Sequence, residues 1–328
     1  MATPSRRRSG GRPAPCGPCP PRASVLRIAA PTTEALLLRA PRLSQLDLSA
    51  AAQLELQAAA FERAAPSGAT PKLVAVLPIT AMAPRGGLVV ELVAGRAPSG
   101  PDDLPALARA LAAIHSLPTP VDRPPIPSAD NPLKTLADRA EATLETYMPK
   151  AGIGRPAAAA IADRLRWLKH LVANPPPMGP DVLCVTDSHP GNFLLRETGA
   201  AVFVDLEKPA YGCPALDLAH TVIDAAAGWD PDAGMRPDAA ARDAFAAAWL
   251  AAVPSAVADA NAPLIRPFRQ AVWLRTISFF MRWQAESAVQ GPWSADRLGP
   301  EAAQHFARHV RQSLTDDAVL AAASAWTE

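Results

Sequence analysis

Residues 183–207 read LCVTDSHPGNFLLRETGAAVFVDLE, and the fold turns on how this stretch is understood. Two apolar runs, NFLLRE and AVFVDLE, flank Gly199 and read as a strand hairpin, with a third short run, VLCVT, leading into it. Between VLCVT and NFLLRE lies a loop carrying the carboxylate Asp187 and, five residues on, the amide Asn192; Asp205 ends the last strand eighteen residues after Asp187. Surface-turn polarity accounts for such residues one at a time. Together they have a use in phosphoryl transfer, where positioning and charge stabilisation do nearly all the work. There Asp187 would orient the attacking hydroxyl and accept its proton, while Asn192 and Asp205 would hold Mg²⁺, which takes a few hard oxygen ligands.

Working outward, SVLRIAA (24–30) and EALLLRAP (34–41) read as a hairpin, SAAAQLELQAAAFERAA (49–65) as a helix opened by a serine, and KLVAVLPITA (72–81) and GLVVELVAG (87–95) as two more strands. From Asp102 the period changes: DDLPALARALAAIHSL, NPLKTLADRAEATLETYM, PAAAAIADRLRWLKHLVA and LIRPFRQAVWLRTISFFMRWQAESA (264–288) carry apolar residues at helical spacing. In the third of these Ile161, Leu165, Leu168 and Val172 share one face. The only strands expected in this second half are the three around the opening stretch. The class is α+β, with proline-rich loops at 118–127 and 174–180 and no internal repeat.

A chain of 328 residues that is 49% apolar can bury a sizeable core. No run approaches a membrane span, and the N-terminus lacks the apolar core of an export signal, so the expectation is a soluble cytoplasmic protein without a membrane partner. Residues 1–22 carry five arginines and no acid, which leaves 27 basic against 31 acidic side chains elsewhere. That tail reads as a solvated, disordered Pro/Arg-rich terminus; without aromatic interleaving no nucleic-acid partner is expected. Of the four cysteines, Cys16 and Cys19 form a lone C-x-x-C, and Cys184 and Cys213 read as packing residues. Neither G-x-x-x-x-G-K-[ST] nor G-x-G-x-x-G occurs.

VTDSHPGNFLL, AVFVDLEKPAYG and PALDLAHT together resemble the catalytic segment of the aminoglycoside phosphotransferase and choline kinase family, kinase-like enzymes that phosphorylate small molecules. GLVVELVAGRAP followed by LARALAAIHSLP is similar to that family's hinge strand and next helix. The resemblance implies a protein-kinase-like two-lobed fold: a small N-terminal sheet-plus-helix lobe at 23–93 that binds nucleotide, and a larger, mainly helical catalytic and substrate lobe at 94–328. It implies ATP and Mg²⁺ as cofactors and a small-molecule hydroxyl acceptor. It assigns Glu91, Leu92 and Val93 to the linker whose backbone meets adenine, Arg39 to the place of the phosphate-pairing strand lysine, Glu55 to its helix partner, and Asp217 to a buried brace of the catalytic loop. Three departures stand out. Val185 replaces a histidine, Arg39 replaces a lysine with different reach and geometry, and the glycine turn expected before SVLRI is SGGRPAPCGPCPPRA, where Gly10 and Gly11 would be its remnant and the prolines that follow disfavour a regular hairpin.

Other residues have plainer roles open to them beside functional ones. His189 and Glu207 are candidate substrate contacts, as is Asp224, which with Asp230 and Asp232 would favour an amine-bearing acceptor by its local field. His305 and His309 stand one turn apart without a third metal ligand and read as packing histidines. Trp273, Phe279, Phe280 and Trp283 read as core. Two further functions stay open on these residues: a kinase-like binding or regulatory protein with little turnover, motivated by the departures, and a metal-dependent phosphohydrolase using Asp187, His189 and Asp205. Acceptor identity and oligomeric state are not fixed by the sequence.

Overall fold

The computed structural model describes residues 25–28, 36–39, 48–233, 235–287 and 300–325. The tail 1–22 with Gly10, Gly11, Cys16 and Cys19, and the Arg39 side chain, lie outside the described residues.

The N-terminal half follows the order expected: β1 (Val25–Ile28), β2 (Leu36–Arg39), α1 (Ala50–Ala64), β3 (Leu73–Leu77) and β4 (Gly87–Glu91). The strands form one antiparallel sheet in the order β1-β2-β4-β3, with Arg39 opposite Val25 on one side and Leu88 on the other. Helix α1 starts at Ser49, whose hydroxyl accepts from the Ala52 amide and satisfies a donor the first turn leaves open. Its inward face is Gln53, Leu56, Gln57, Ala60, Phe61 and Ala64, a stripe at three- and four-residue spacing. Leu88 and Val90 of β4 share their core, whereas β3 leaves Val74, Val76 and Leu77 exposed.

The second half is helical. Helix α2 (Leu104–His115) buries Leu104, Leu107, Leu111 and Ile114 completely, and α7 (Ala239–Leu250), followed by the short α8 (Ser255–Asn261), lies across it. A second core gathers α3 (Pro132–Tyr147), α4 (Arg155–Ala173), α5 (Ala215–Val222), α9 (Ile265–Ser287) and the C-terminal α10 (Pro300–Ser313) and α11 (Asp316–Ser324). Ile161 and Leu168 of α4 are fully buried there, with Leu165 and Val172 packed at its edge. Trp273, Phe280 and Trp283 are buried, and Phe306 meets both Phe280 and Trp283 edge to face, which makes the aromatic stripe core. No described helix is long and apolar enough to cross a membrane.

Three strands of this half match the sequence reading: β5 (Val182–Cys184), β6 (Phe193–Leu195) and β7 (Ala201–Phe203). A fourth, β8 (Ala210–Gly212), was not foreseen; it pairs with β5, and three residues behind a proline offer no alternation to read. β6 and β7 form the hairpin turning at Gly199, whose φ of 81° suits glycine.

Beyond β4 the chain is tied to this hairpin. Arg96 and Leu195 exchange both backbone hydrogen bonds, at 3.0 and 2.8 Å, and a Cβ on Gly95 would lie 2.5 Å from the Leu195 carbonyl oxygen. Gly95→Ala should therefore push the two backbones apart and cost on the order of 1–3 kcal/mol, the usual scale of overpacking. Denaturant unfolding of that variant checks it, and wild-type stability would show that the contact yields.

Candidate active site

The loop following β5 is shaped by one buried carboxylate. Thr186 adopts a φ of 58°, uncommon for a β-branched residue, so surrounding contacts must hold it there. Asp217, on α5 and fully buried, accepts from the Val185 amide at 2.7 Å and the Thr186 amide at 2.8 Å. His115 Nε2 lies 3.1 Å from the same carboxylate, and Trp249 Nε1 lies 3.0 Å from His115 Nδ1. An indole nitrogen can only donate, so Nδ1 accepts, Nε2 carries the proton and donates to Asp217. Four groups from α7, α2, α5 and the loop thus form one satisfied buried chain, the arrangement in which polar networks specify a single conformation.

The loop then presents its polar groups. The Asn192 side-chain nitrogen donates to the Asp187 carbonyl at 2.7 Å, leaving Oδ1 as the amide's acceptor, and the Asn192 carbonyl accepts from Val204 one residue before Asp205. Asn192 and Asp205 are both buried, at 4% and 5% exposure. Asp187 is partly exposed; Lys208 Nζ donates to its Oδ2 at 2.6 Å and His220 Nδ1 lies 3.8 Å from Oδ1. Burial opposes its ionisation, but the neighbouring Lys208 ammonium prevails and holds the carboxyl far below the ordinary carboxylate range. Burial likewise disfavours charge on Lys208, whose Nζ also lies 3.1 Å from Glu207 Oε1; the two acids prevail and raise it above a free lysine. His220 is pushed down to about 3 by burial, so it is neutral at physiological pH.

The residues singled out in the sequence separate into those the structure gathers and those it does not. Asp187, His189 and Asn192 lie on one loop braced by Asp217, and the segment carrying Asp205 and Glu207 is joined to it by the Val204–Asn192 hydrogen bond and by Lys208, which pairs with both Asp187 and Glu207. Glu207 is buried, and its carbonyl accepts from Gln53 of α1 at 3.1 Å. Glu55 faces outward from α1, exposed and lining a groove with Glu62, Val76 and Ile79. The side chains α1 turns inward are Gln53 and Gln57, because their positions, and not that of Glu55, fall on its core-facing stripe. Glu91 has a committed carboxylate: Arg196 reaches it at 2.5 Å, and the Lys72 amide donates to it. Leu92 and Val93 continue from β4 toward Arg96, Val93 being buried. Asp224 opens the short helix α6 (Asp224–Ala227), exposed, with Arg242 at 3.5 Å, and Asp232 is exposed, so neither is drawn to Asp187. Asp230 lies against Gly191, where a Cβ would be 2.5 Å from its Oδ2.

The site residues missed in the sequence are Lys208, His220, His115 and Gln53. Two left a signal: Lys208 stands three residues past Asp205 in DLEK, and His220 three past Asp217 in DLAH, which is one helical turn. His305 and His309 pair with the Gly228 and Ala225 carbonyls, as packing histidines do. His115, Cys184 and Asp217 sit close enough to suggest a metal, yet the proton on His115 Nε2, the filled Asp217 oxygens and the burial that raises the Cys184 thiol make them a poor ligand set.

The sequence profile of the phosphotransferase enzyme family matches residues 23–259. No curated protein sequence matches the chain. Among solved structures, a spectinomycin phosphotransferase in complex with ADP and spectinomycin is 12% identical with a TM-score of 0.59, over 93% of this chain and 90% of that one. A Plasmodium vivax ethanolamine kinase is 13% identical with a TM-score of 0.53, over 89% and 79%. A choline/ethanolamine kinase family protein from Mesorhizobium loti is 18% identical with a TM-score of 0.52, over 91% and 92%. At these identities the likeness establishes the kinase-like, two-lobed fold.

Proposed function

Because the chain belongs to the phosphotransferase enzyme family, we propose that it moves the γ-phosphoryl group of ATP, with Mg²⁺, to a hydroxyl of a small molecule. The observation that carries this reading is the braced loop holding Asp187 and Asn192, with the Asn192 side chain bonded to the Asp187 carbonyl and the Val204 amide, next to Asp205, bonded to the Asn192 carbonyl. Residues 23–93 serve as the nucleotide lobe and 94–328 as the catalytic lobe, with the cytoplasm, where ATP is abundant, as the place of action.

Asn192 Oδ1 and the Asp205 carboxylate, with Glu207 beside them, are a hard, buried oxygen set that fits Mg²⁺. When bound, that ion neutralises charge on the phosphates. Asp187 orients the acceptor hydroxyl and receives its proton as the oxygen–phosphorus bond forms and the bond to the ADP oxygen breaks. Lys208, paired with Asp187 here, supplies a cation close to the transferring group. On this reading the backbone at Glu91, Leu92 and Val93 is where adenine would lie, and Arg39 would pair with the phosphates.

One observation favours a second reading, a kinase-like binding protein with little turnover: α1 buries Gln53 and Gln57, not an acid, and Gln53 donates to the Glu207 carbonyl. Thermal unfolding with and without Mg²⁺·ATP separates the two, with Asp205→Asn as control. Ligand at a hundred times its Kd adds about 2.7 kcal/mol and should raise the midpoint by several degrees, an effect the variant should lose. Absence of any rise at saturating nucleotide would sink the kinase reading.

A further inference from the structure

The outer face of α1, turned away from the core, belongs to none of the machinery described so far. With residues of β3 and the turn after it, it lines an open groove of about 650 Å³. Leu54 and Ala58 of α1, with Val76 and Ile79, give the groove its apolar surface, and Glu55 and Glu62, two turns apart on the helix, give it its carboxylates. β3 is the edge strand of its sheet, and residues 74–77 are exposed one after another, so neither face of the strand is covered. Of the eight large apolar side chains exposed among the described residues, five are Val74, Val76, Leu77, Ile79 and Met82. Apolar exposure gathered on a sheet edge and rimmed by charge marks an interaction surface.

The charges define what fits there. Glu55 and Glu62 are exposed, and among the described residues neither pairs with a cation. Arg63, the cation of the lining, is committed elsewhere: its guanidinium donates to the carbonyls of Asp122, Arg123 and Pro124 and to the Tyr211 hydroxyl. A complementary occupant is therefore basic and carries apolar groups of modest size. A second copy of the chain fits poorly, because a two-fold contact sets like patches together and would bring the same glutamates face to face.

Residues 1–22 have the required chemistry, with five arginines, six prolines and no acid. They also have the reach. β3 is three strands from β1 in the sheet, about 15 Å at the usual strand spacing, whereas residues 12–24 alone span up to about 40 Å when extended. Tethering gives such a segment an effective concentration of about a millimolar, so contacts too weak for a free peptide suffice. We propose that the groove between α1 and β3 binds a basic, proline-rich segment, and that its occupant is the chain's own residues 1–22, with Arg6, Arg7, Arg8 and Arg12 meeting Glu55 and Glu62 while the prolines lie on Val76 and Ile79. This is independent of the phosphotransferase reading.

The test is photocrosslinking on the full chain. Cys184 and Cys213 are buried and their thiols are raised in pKa by that burial, so in a Cys19→Ser variant a benzophenone maleimide attaches at Cys16. Expected after irradiation of dilute protein is a crosslink within one chain to residues 51–63 or 74–82, located by mass spectrometry of the digest. Glu55→Lys combined with Glu62→Lys should cut its yield by about fivefold or more, the scale of two exposed ion pairs lost. Replacing Arg6, Arg7 and Arg8 by serine should do the same with the groove untouched, which covers the case of a helix disturbed by the lysines. Crosslinks scattered over the surface or directed to another region, or a yield unmoved by either set of substitutions, would overturn the proposal. So would crosslinks to the groove that form only between chains, which would make a second copy the occupant.

Discussion

Asp187→Asn is expected to lower turnover by a factor on the order of 10²–10⁴, the usual cost of losing a positioned general base, while Mg²⁺·ATP still raises the unfolding midpoint. The asparagine keeps the shape and the backbone carbonyl that receives the Asn192 amide, so the loop should persist. Lys208 loses its bond to Asp187 Oδ2 but keeps Glu207 at 3.1 Å, which limits the effect on stability. ADP release, with water or an added hydroxyl compound as acceptor, supplies the rate. Wild-type turnover in the variant would remove Asp187 from the chemistry. The carboxyl is held far below the ordinary range, so its ionised form persists well into acid. Loss of activity on mild acidification would then have to come from another group.

The second large effect is on folding. Asp217→Ala leaves the Val185 and Thr186 amides and the His115 Nε2 proton buried with nothing to accept them. Removing one member of such a network typically costs about 3–5 kcal/mol. In a chain of this size that lowers the thermal midpoint by on the order of 10 °C. Asp217→Asn should be intermediate, because one oxygen still accepts while the amide hydrogens face other donors. An unchanged midpoint in the alanine variant would mean that the loop holds its left-handed Thr186 unaided.

What the sequence made legible, and what it hid, follows from the range of the interactions involved. Asp187, Asn192 and Asp205 were readable because a loop and a hairpin join them within nineteen residues, and short-range geometry leaves their strands little choice. The helices were readable from periodicity, as in the buried faces of α1 and α2. Partners across the chain were not. His115 lies over a hundred residues from Asp217, and Trp249 as far again from His115; neither spacing leaves a periodic trace. The resemblance assigns Glu55 as the helix partner of Arg39, yet a helix position is settled by which residues the core can accept. Gln53 and Gln57 occupy the inward stripe, and Glu55, two residues from each, takes the opposite face. Strand β8 was hidden because its pairing with β5 spans too few residues for a pattern.

The bridge between Arg96 and Leu195 bears on how the cleft can open. Mechanically the crossing is a clamped beam, not a free tether: one end is fixed where the Glu91 amide bonds to the Lys72 carbonyl, the other where Arg96 joins the hairpin. Rotation is left to Leu92, Val93, Ala94 and Gly95, and the last lies hard against the Leu195 carbonyl. The axis of any opening therefore runs beside β6, so a movement that admitted a nucleotide under the proposed function would turn about the edge of the loop that carries Asp187 and Asn192.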